Sequence, residues 1–289
     1  MAAARSSMVG PLAGVGAGLR GPHVPDILAE RPAIAWFELL TDNHLAAGGG
    51  LRRQAEVIAE RYPVSLHGVG MSLAGTDPLD RDYLASVREL AERTEARLVS
   101  EHLAFTSAGG QHSNDLLPIP WTEEALDHVA VCIDVAQGVL GRQILIENIS
   151  AYVEFTESSL SETEFLETLC RRTGCALLLD INNVYVNAVN HGYDPSDWLA
   201  GVPWCHVREI HVAGHTERDG LLIDTHGGTV CTAVVELLLS VRHLAGACPV
   251  LLEWDTNLPP WHVLETEVER LQRVWDRHQP EPRQLRHAS

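Results

Sequence analysis

Short apolar runs recur along the chain, and nearly every one ends in a carboxylate, an imidazole or an amide. Eight are of strand length: GVGAGL (14–19), AWFELL (35–40), VSLHGV (64–69), RLVSEHLAF (97–105), QILIENIS (143–150), ALLLDIN (176–182), REIHVAGH (208–215) and PVLLEWD (249–255). Runs this short, with branched side chains, predict strands buried on both faces, as in a parallel sheet. Helical patterns lie between many of them. PLDRDYLASVRELAERTEAR (78–97) puts Leu79, Tyr83, Val87 and Leu90 on one face. TEEALDHVAVCIDVAQGVLG opens with Thr122 as N-cap, carries acids in its first turn and stops at glycine. SETEFLETLCRRTG opens with the capping box Ser161-x-x-Glu164 and closes at Gly174. TVCTAVVELLLSVRHLAG and PPWHVLETEVERLQRVWDRH read as the last helices. Strands alternating with helices imply βαβ units, and eight of them over about 270 residues suit a (β/α)8 TIM barrel. A doubly wound sheet is the alternative, but no glycine-rich phosphate fingerprint opens a helix. The expected organisation is a tail over residues 1–13, one barrel domain over 14–278 and a disordered tail over 279–289.

Charge narrows the partners. Against 39 acids stand 21 basic residues, a net charge of -18, and no basic stripe is visible. That argues against a nucleic-acid binder, which needs clustered cations. No run approaches a membrane span and the N-terminus does not read as a signal peptide. The cysteines show no CxxC pair and sit mostly in apolar surroundings, so free thiols in a reducing, cytoplasmic setting are expected.

In a barrel the C-terminal strand ends converge on one mouth. Here they carry Glu38, His67, Glu101 with His102, Glu147 with Asn148, Asp180 with Asn182 and Asn183, His211 with His215, and Glu253 with Asp255. The loop LLIDTHGGTV adds Asp224 and His226, two residues apart and able to reach one ion from an extended segment. That many acids share a dry pocket only with cations between them, since like charges would otherwise force them to protonate. Mixed His, Asp and Glu donors suit iron, manganese or zinc, and the absence of thiolates disfavours a structural zinc. Each residue also has a plainer role open to it. A lone His67 is more often a satisfied core histidine, Glu101 a supporting partner, Asn182 and Asn187 strand-end caps, Glu38 an orienting group, Asp224 a turn residue. The recurrence across strands carries the metal hypothesis.

The blocks LHGVGMSL, SEHLAF, LLPIPWT, IENIS, LLLDINNVYVNAVNHGYDP, EIHVAGH, IDTHG and LLEWD together resemble the DUF692 (UPF0276) family, the multinuclear non-haem iron-dependent oxidases. The resemblance runs from about Gly14 to Trp275. It implies a TIM barrel of the xylose-isomerase and endonuclease IV type. It also implies two to three iron ions of mixed Fe(II)/Fe(III) state, O2 as co-substrate, and a ribosomally made precursor peptide modified at cysteine. By the same resemblance His67, His102 and Glu147 hold one iron, Glu147, Asp180, His211 and Glu253 a second, and Asn183, Asp224 and His226 a third. Glu147, Asp180 and His211 stand closest to the chemistry. Glu38, Glu101, Asn148, Asn182, His191, His215 and Asp255 would contact substrate or support ligands, with His191 and the remaining asparagines ordering a loop at the mouth. One departure is FELLTDNHL, where relatives more often have an acid followed by SEN or PEN; it bears on substrate contacts near Thr41 to His44. A separate leader-recognition partner is expected. The rivals are a zinc- or manganese-dependent hydrolase or isomerase of the related barrels, and a non-catalytic metal-binding protein.

Overall fold

A computed structural model describes residues 10–46 and 48–278, so the tail expected over 279–289 and most of that over 1–13 lie outside the described residues. The barrel strands are β1 (Val15–Leu19), β2 (Phe37–Leu40), β3 (Val64–Gly68), β4 (Val99–His102), β5 (Leu145–Glu147), β6 (Ala176–Asp180), β7 (Val207–Ala213) and β8 (Val250–Glu253). They are parallel, pair in chain order and close where β8 returns to β1, with Val15 opposite Val250. Each coincides, to within two residues at its start, with a predicted apolar run. Around them lie α1 (Val24–Glu30), α2 (Gly50–Ala59), α3 (Arg81–Thr94), α4 (Glu123–Leu140), α5 (Glu162–Thr173), α6 (Ile181–His191), α7 (Pro195–Ala200), α8 (Thr232–Ser240), α9 (Arg242–Ala245) and α10 (Trp261–Arg277).

Alternation along the strands decides which side chains face the barrel axis. Val15, Ala17 and Leu19 point outward and join the core under the helices, as do Val64 and Leu66, Ile210 and Val212, and Val250 and Leu252. The opposite parity therefore points inward: Gly16, Gly18 and Arg20; Trp36 and Glu38; Ser65 and His67; Ser100 and His102; Leu145 and Glu147; Ala176, Leu178 and Asp180; Glu209 and His211; Leu251 and Glu253. Leu145, Ala176 and Leu178 form a small apolar cluster of their own, apart from the outer core. The barrel axis is thus apolar in part at its base and increasingly charged towards the mouth. Gly16 and Gly18 leave room for large neighbours. A Cβ on Gly16 would stand 2.5 Å from the buried Trp36 ring, and one on Gly18 would stand 2.9 Å from the Arg20 guanidinium.

Local signals explain the helix ends. Thr122 Oγ1 accepts from Ala125 N and Ser161 makes the full capping box with Glu164, while Gly141 and Gly174 end α4 and α5 in left-handed conformation. On α10, Trp261, Leu264, Val268, Leu271 and Trp275 are buried at spacings of three and four, each contributing roughly 1.5–3 kcal/mol by burial.

Several expectations need correction. The helix expected over 78–97 spans only Arg81–Thr94, because Asp80 accepts from Asp82 N and Tyr83 N and so caps it; Leu79 lies ahead of the helix. The segment after Asp180, expected to be a loop, is helix α6, because the Asp180 carboxylate caps it. The stretch 229–246 forms two helices, α8 and α9, with Val241 between them. Two antiparallel hairpins escaped the sequence reading: Phe105–Ala108 with Gln111–Leu117, and Thr216–Arg218 with Leu221–Ile223. All six cysteines are free, but Cys205 is exposed rather than buried in apolar surroundings. Among the described residues, no helix is long and apolar enough to cross a membrane.

Candidate metal centre

The inward ends of β3, β4 and β5 bring three donor atoms together. His67 Nε2 and His102 Nε2 are 3.2 Å apart, and Glu147 Oε2 lies 3.1 Å from each. The tautomers follow from the other ring nitrogens. His102 Nδ1 is 2.9 Å from the Gly68 carbonyl and must donate to it. Ser100 Oγ spends its proton on the Leu66 carbonyl, so at 2.8 Å it accepts from His67 Nδ1. In the neutral rings both Nε2 atoms therefore carry lone pairs, aimed at each other and at a carboxylate. Only a cation makes that arrangement favourable. Cis ligands each ~2.1 Å from one ion stand about 3.0–3.4 Å apart, so the triangle has the right edges. Without an ion, protons must take its place. Burial alone would lower the His67 imidazole, but Glu147 and Glu38 outweigh it and push it up to about 10. Burial would raise the Glu147 carboxyl, yet the charges of His102 and His67 hold it down at about 2.

A second group adjoins the first. One donor atom each from Glu147, Asp180 and His211 lie within 4.8 Å of one another, as do those of Asp180, His226 and Glu253, and those of Glu38, His211 and Glu253. Asp180 divides its work. Its Oδ1 accepts from Asn183 N at 2.7 Å and caps α6, while Oδ2 is buried without a hydrogen-bond partner. Burial pushes this carboxyl up to about 7, with His226 opposing and Glu147 adding to the shift. A buried orphan oxygen facing imidazoles fits a metal donor. His211 also works at both ends. Nδ1 is 3.2 Å from Glu253 Oε2, and Nε2 is 3.1 Å from Glu38 Oε2. A proton on Nε2 donated to Glu38 leaves Nδ1 as donor to an ion, the usual carboxylate–histidine–metal arrangement.

His226 closes the group on the outer side. Its Nδ1 is 3.3 Å from Glu253 Oε2 and 3.2 Å from Asp255 Oδ2, and its Nε2 is 2.7 Å from Asp224 Oδ1. Burial would lower this imidazole, but Glu253 and Asp224 hold it well above the ordinary value. The extended segment expected here is corrected: His226 has φ 44°, and this left-handed turn, not strand geometry, brings it back onto Asp224.

The supporting residues fall into place by parity. Glu101, next to inward-facing His102, points the other way. Its oxygens accept from Met71 N at 3.0 Å and His102 N at 2.9 Å, which fixes the backbone around both elements. Asn148 exchanges two hydrogen bonds of 3.0 Å with the Asp180 backbone. Asn183 donates to the Asn148 carbonyl at 3.0 Å and accepts from Ser150 Oγ at 2.7 Å, so much of its amide is already engaged. Asn182 links His215, at 2.8 Å from its Oδ1, to Asp224, at 2.8 Å from its Nδ2. His191 bonds the Ala151 carbonyl at 2.6 Å, on the last turn of α6.

The sequence reading missed Arg20 and Glu209. Arg20 Nε donates to Asp255 Oδ1 at 3.0 Å, its Nη2 also meets that oxygen and reaches Glu253 Oε1 at 3.5 Å. Burial would lower the guanidinium, but Asp255 and Glu253 keep it raised. Glu209 is buried beneath His211, 3.4 Å from Ser65 Oγ. Both were findable: Arg20 is the polar terminus of the first strand, and Glu209 shares the parity of His211.

Known proteins resemble the chain along most of its length. The family model described as RiPP precursor modification enzyme MbnB/TglH/ChrH matches residues 14–276. A UPF0276 protein of Acaryochloris marina is 47% identical over 269 residues, covering 93% of this chain and 97% of the relative. One of Rhizobium meliloti is 46% identical over 269 residues, covering 91% and 87%. Among solved structures, endonuclease IV of Thermus thermophilus superposes with a TM-score of 0.60 at 18% identity over 91% of this chain and 99% of its own. A xylose isomerase domain protein from Planctomyces limnophilus gives 0.58 at 12% identity, over 92% and 98%. At those identities the structural likeness is one of fold alone.

Proposed function

The chain belongs to the UPF0276 family, and from that premise we propose that it is a multinuclear, iron- and O2-dependent oxidase. Its substrate is a ribosomally synthesised precursor peptide, modified at cysteine at the barrel mouth. The observation that carries the proposal is the continuous run of facing donors from His102 through Glu147 to Glu253, matched to a family described by precursor-peptide modification. Imidazole and carboxylate donors without thiolate suit iron and leave positions for a substrate sulfur.

In this proposal His67, His102 and Glu147 would hold one ion, and Glu147, Asp180, His211 and Glu253 would supply the ligands of a second. His226 and Asp224 would hold a third, more labile one, while the Asn183 amide is engaged by Ser150 and the Asn148 carbonyl. Iron, when bound, supplies one-electron chemistry with O2. The chain supplies the rest. Ser100 and the Gly68 carbonyl fix the two imidazole tautomers. Glu38 takes the distal proton of His211. Asn148 clamps the backbone of Asp180, so that its free oxygen faces the ions. The closed wall of strands keeps bulk water from the lower face of the centre. A separate leader-recognition protein delivers the precursor.

Anaerobic preparation with ferrous salt, followed by elemental analysis and O2-uptake measurement, tests the iron assignment. Two to three irons per chain and iron-dependent O2 uptake are expected. Stoichiometric zinc with activity retained and no iron would sink it in favour of a hydrolase or isomerase. Mass spectrometry of a cysteine-bearing precursor encoded beside the gene tests the partner: full conversion by this chain alone, unchanged by the neighbouring gene product, would refute it.

A further inference from the structure

Beside the candidate metal centre lies a chamber of about 670 Å³, between the segment following β3, the first turn of α3 and the Phe105–Leu117 hairpin. Its volume is in the range of small-ligand sites. It begins where the ligands end. Val69 and Gly70 line it directly after His67, and the intervening Gly68 carbonyl holds His102. Met71, also on its wall, is tied through Glu101 to the same strand. Helix N-termini lie at the mouth end of a barrel, so a chamber against the start of α3 opens on the face where the ions are held.

The lining is acidic. Asp42, Asp77, Asp80 and Asp115 all contribute, against His112 as the one titratable base and no arginine. The sequence contains no lysine at all. Backbone groups occupy part of each carboxylate: Asp42 accepts from Val69 N and Tyr83 Oη, Asp77 from Gly110 N, Asp80 from Asp82 N and Tyr83 N, Asp115 from Leu116 N. One oxygen each of Asp77, Asp80 and Asp115 has no partner among the described residues. Tyr83 adds an aromatic ring, and Val69, Met71, Pro78 and Leu116 add apolar surface. Acceptors without donors, an aromatic face and apolar walls together match a guanidinium or ammonium on an aliphatic stem.

We propose that this chamber binds a basic side chain of the peptide substrate, an arginine or lysine close in sequence to the residue presented to the metal centre. This rests on the peptide-modifying activity proposed above and adds a substrate feature to it. The chamber supplies charge and depth next to His67 and His102, so a seated basic side chain fixes which neighbouring residue reaches the ions.

Binding, not turnover, tests it. The probes are a fluorescein-labelled hexapeptide with one cysteine and one arginine two residues away, and its twin with citrulline, which keeps the shape and removes the charge. Fluorescence anisotropy is measured on the full chain, as purified and after anaerobic reconstitution with ferrous iron. The arginine peptide should bind at least tenfold more tightly than its twin at low salt. The Asp77→Asn/Asp80→Asn double variant should reduce that preference at least fivefold; asparagine caps helices as well as aspartate, so α3 is kept. Equal affinity for the twins, or an undiminished preference in the double variant, would overturn the proposal. Arginine amide alone binding as tightly as the hexapeptide would overturn the peptide assignment. A charge preference in a chain that takes up no O2 would support the chamber while refuting the oxidase, so the two failures are separable.

Discussion

Arg20 shows how much one unligated residue governs here. It engages one oxygen of Glu253 and one of Asp255, leaving the other oxygen of each beside His226. Lysine keeps the charge but loses the planar fork. Arg20→Lys and Arg20→Gln should both weaken metal retention about 10–100-fold, the usual penalty for losing a group that orients ligands. Competition against a chelator, followed by colorimetric metal assay, measures it. Glu147 is the opposite case, the residue that joins the His67–His102 group to the Asp180–His211 group. Glu147→Ala should lower iron content by more than one ion per chain and His226→Ala by about one; equal small losses would show the bridging assignment to be wrong. Residue identity was largely legible from the sequence, because strand ends are where polar groups interrupt apolar runs. Parity was not used there, and it is what separates inward His102 from outward Glu101. Strict period-two alternation along SEH would have made that separation.

At the level of elements, the junction of β6 and α6 concentrates several jobs in four residues. Asp180 ends the strand, caps the helix and offers a free oxygen, while Asn148 on the neighbouring strand's end holds its backbone. Asn148→Ala strands a buried N–H and a buried carbonyl of Asp180, and should cost about 1–3 kcal/mol in chemical denaturation. It should also reduce iron content, since the free oxygen loses its aim. A stable variant with full metal content would show that the clamp is dispensable. The strands were predictable because each is a short, largely apolar run that carries its polar groups toward the mouth. Helix α6 was not, because INNVYVNAVNH is rich in residues that favour turns in isolation. What makes it helical is the local Asp180 cap together with tertiary partners, asparagine amides spent on Ile149 and Ala151 after β5 and on Leu222 of the second hairpin. The hairpins were missed because their strands carry no apolar period that would mark them as strands.

For the whole molecule, pH acts through groups outside the ion cluster as well. Glu162, at the start of α5, receives a hydrogen bond of 3.0 Å from Trp198 Nε1, but burial dominates and pushes its carboxyl from 4.5 to about 7. Because the folded value exceeds the unfolded one, its contribution to stability is fully present below pH 4.5 and lost as the pH rises through about 7. The loss should be about 1–3 kcal/mol after allowing for the part of the side chain that still meets water. Glu162→Gln should flatten the decline of Tm between pH 5 and 8; an unchanged decline would exclude Glu162 as its source.

The seam between β1 and β8 carries a further consequence. Arg20 on the first strand grips Glu253 on the last, and Glu253 faces His211 and His226. The same carboxylate is thus part of the closure and part of the metal centre. During synthesis β8 emerges last of the strands, so the centre is completed only when the cylinder shuts. A metal held by the groups that include Glu253 would then serve as a latch, since those groups exist only once the ring is closed. Ions bound at this latch also resist its opening, because whatever favours the closed state alone shifts the equilibrium toward it.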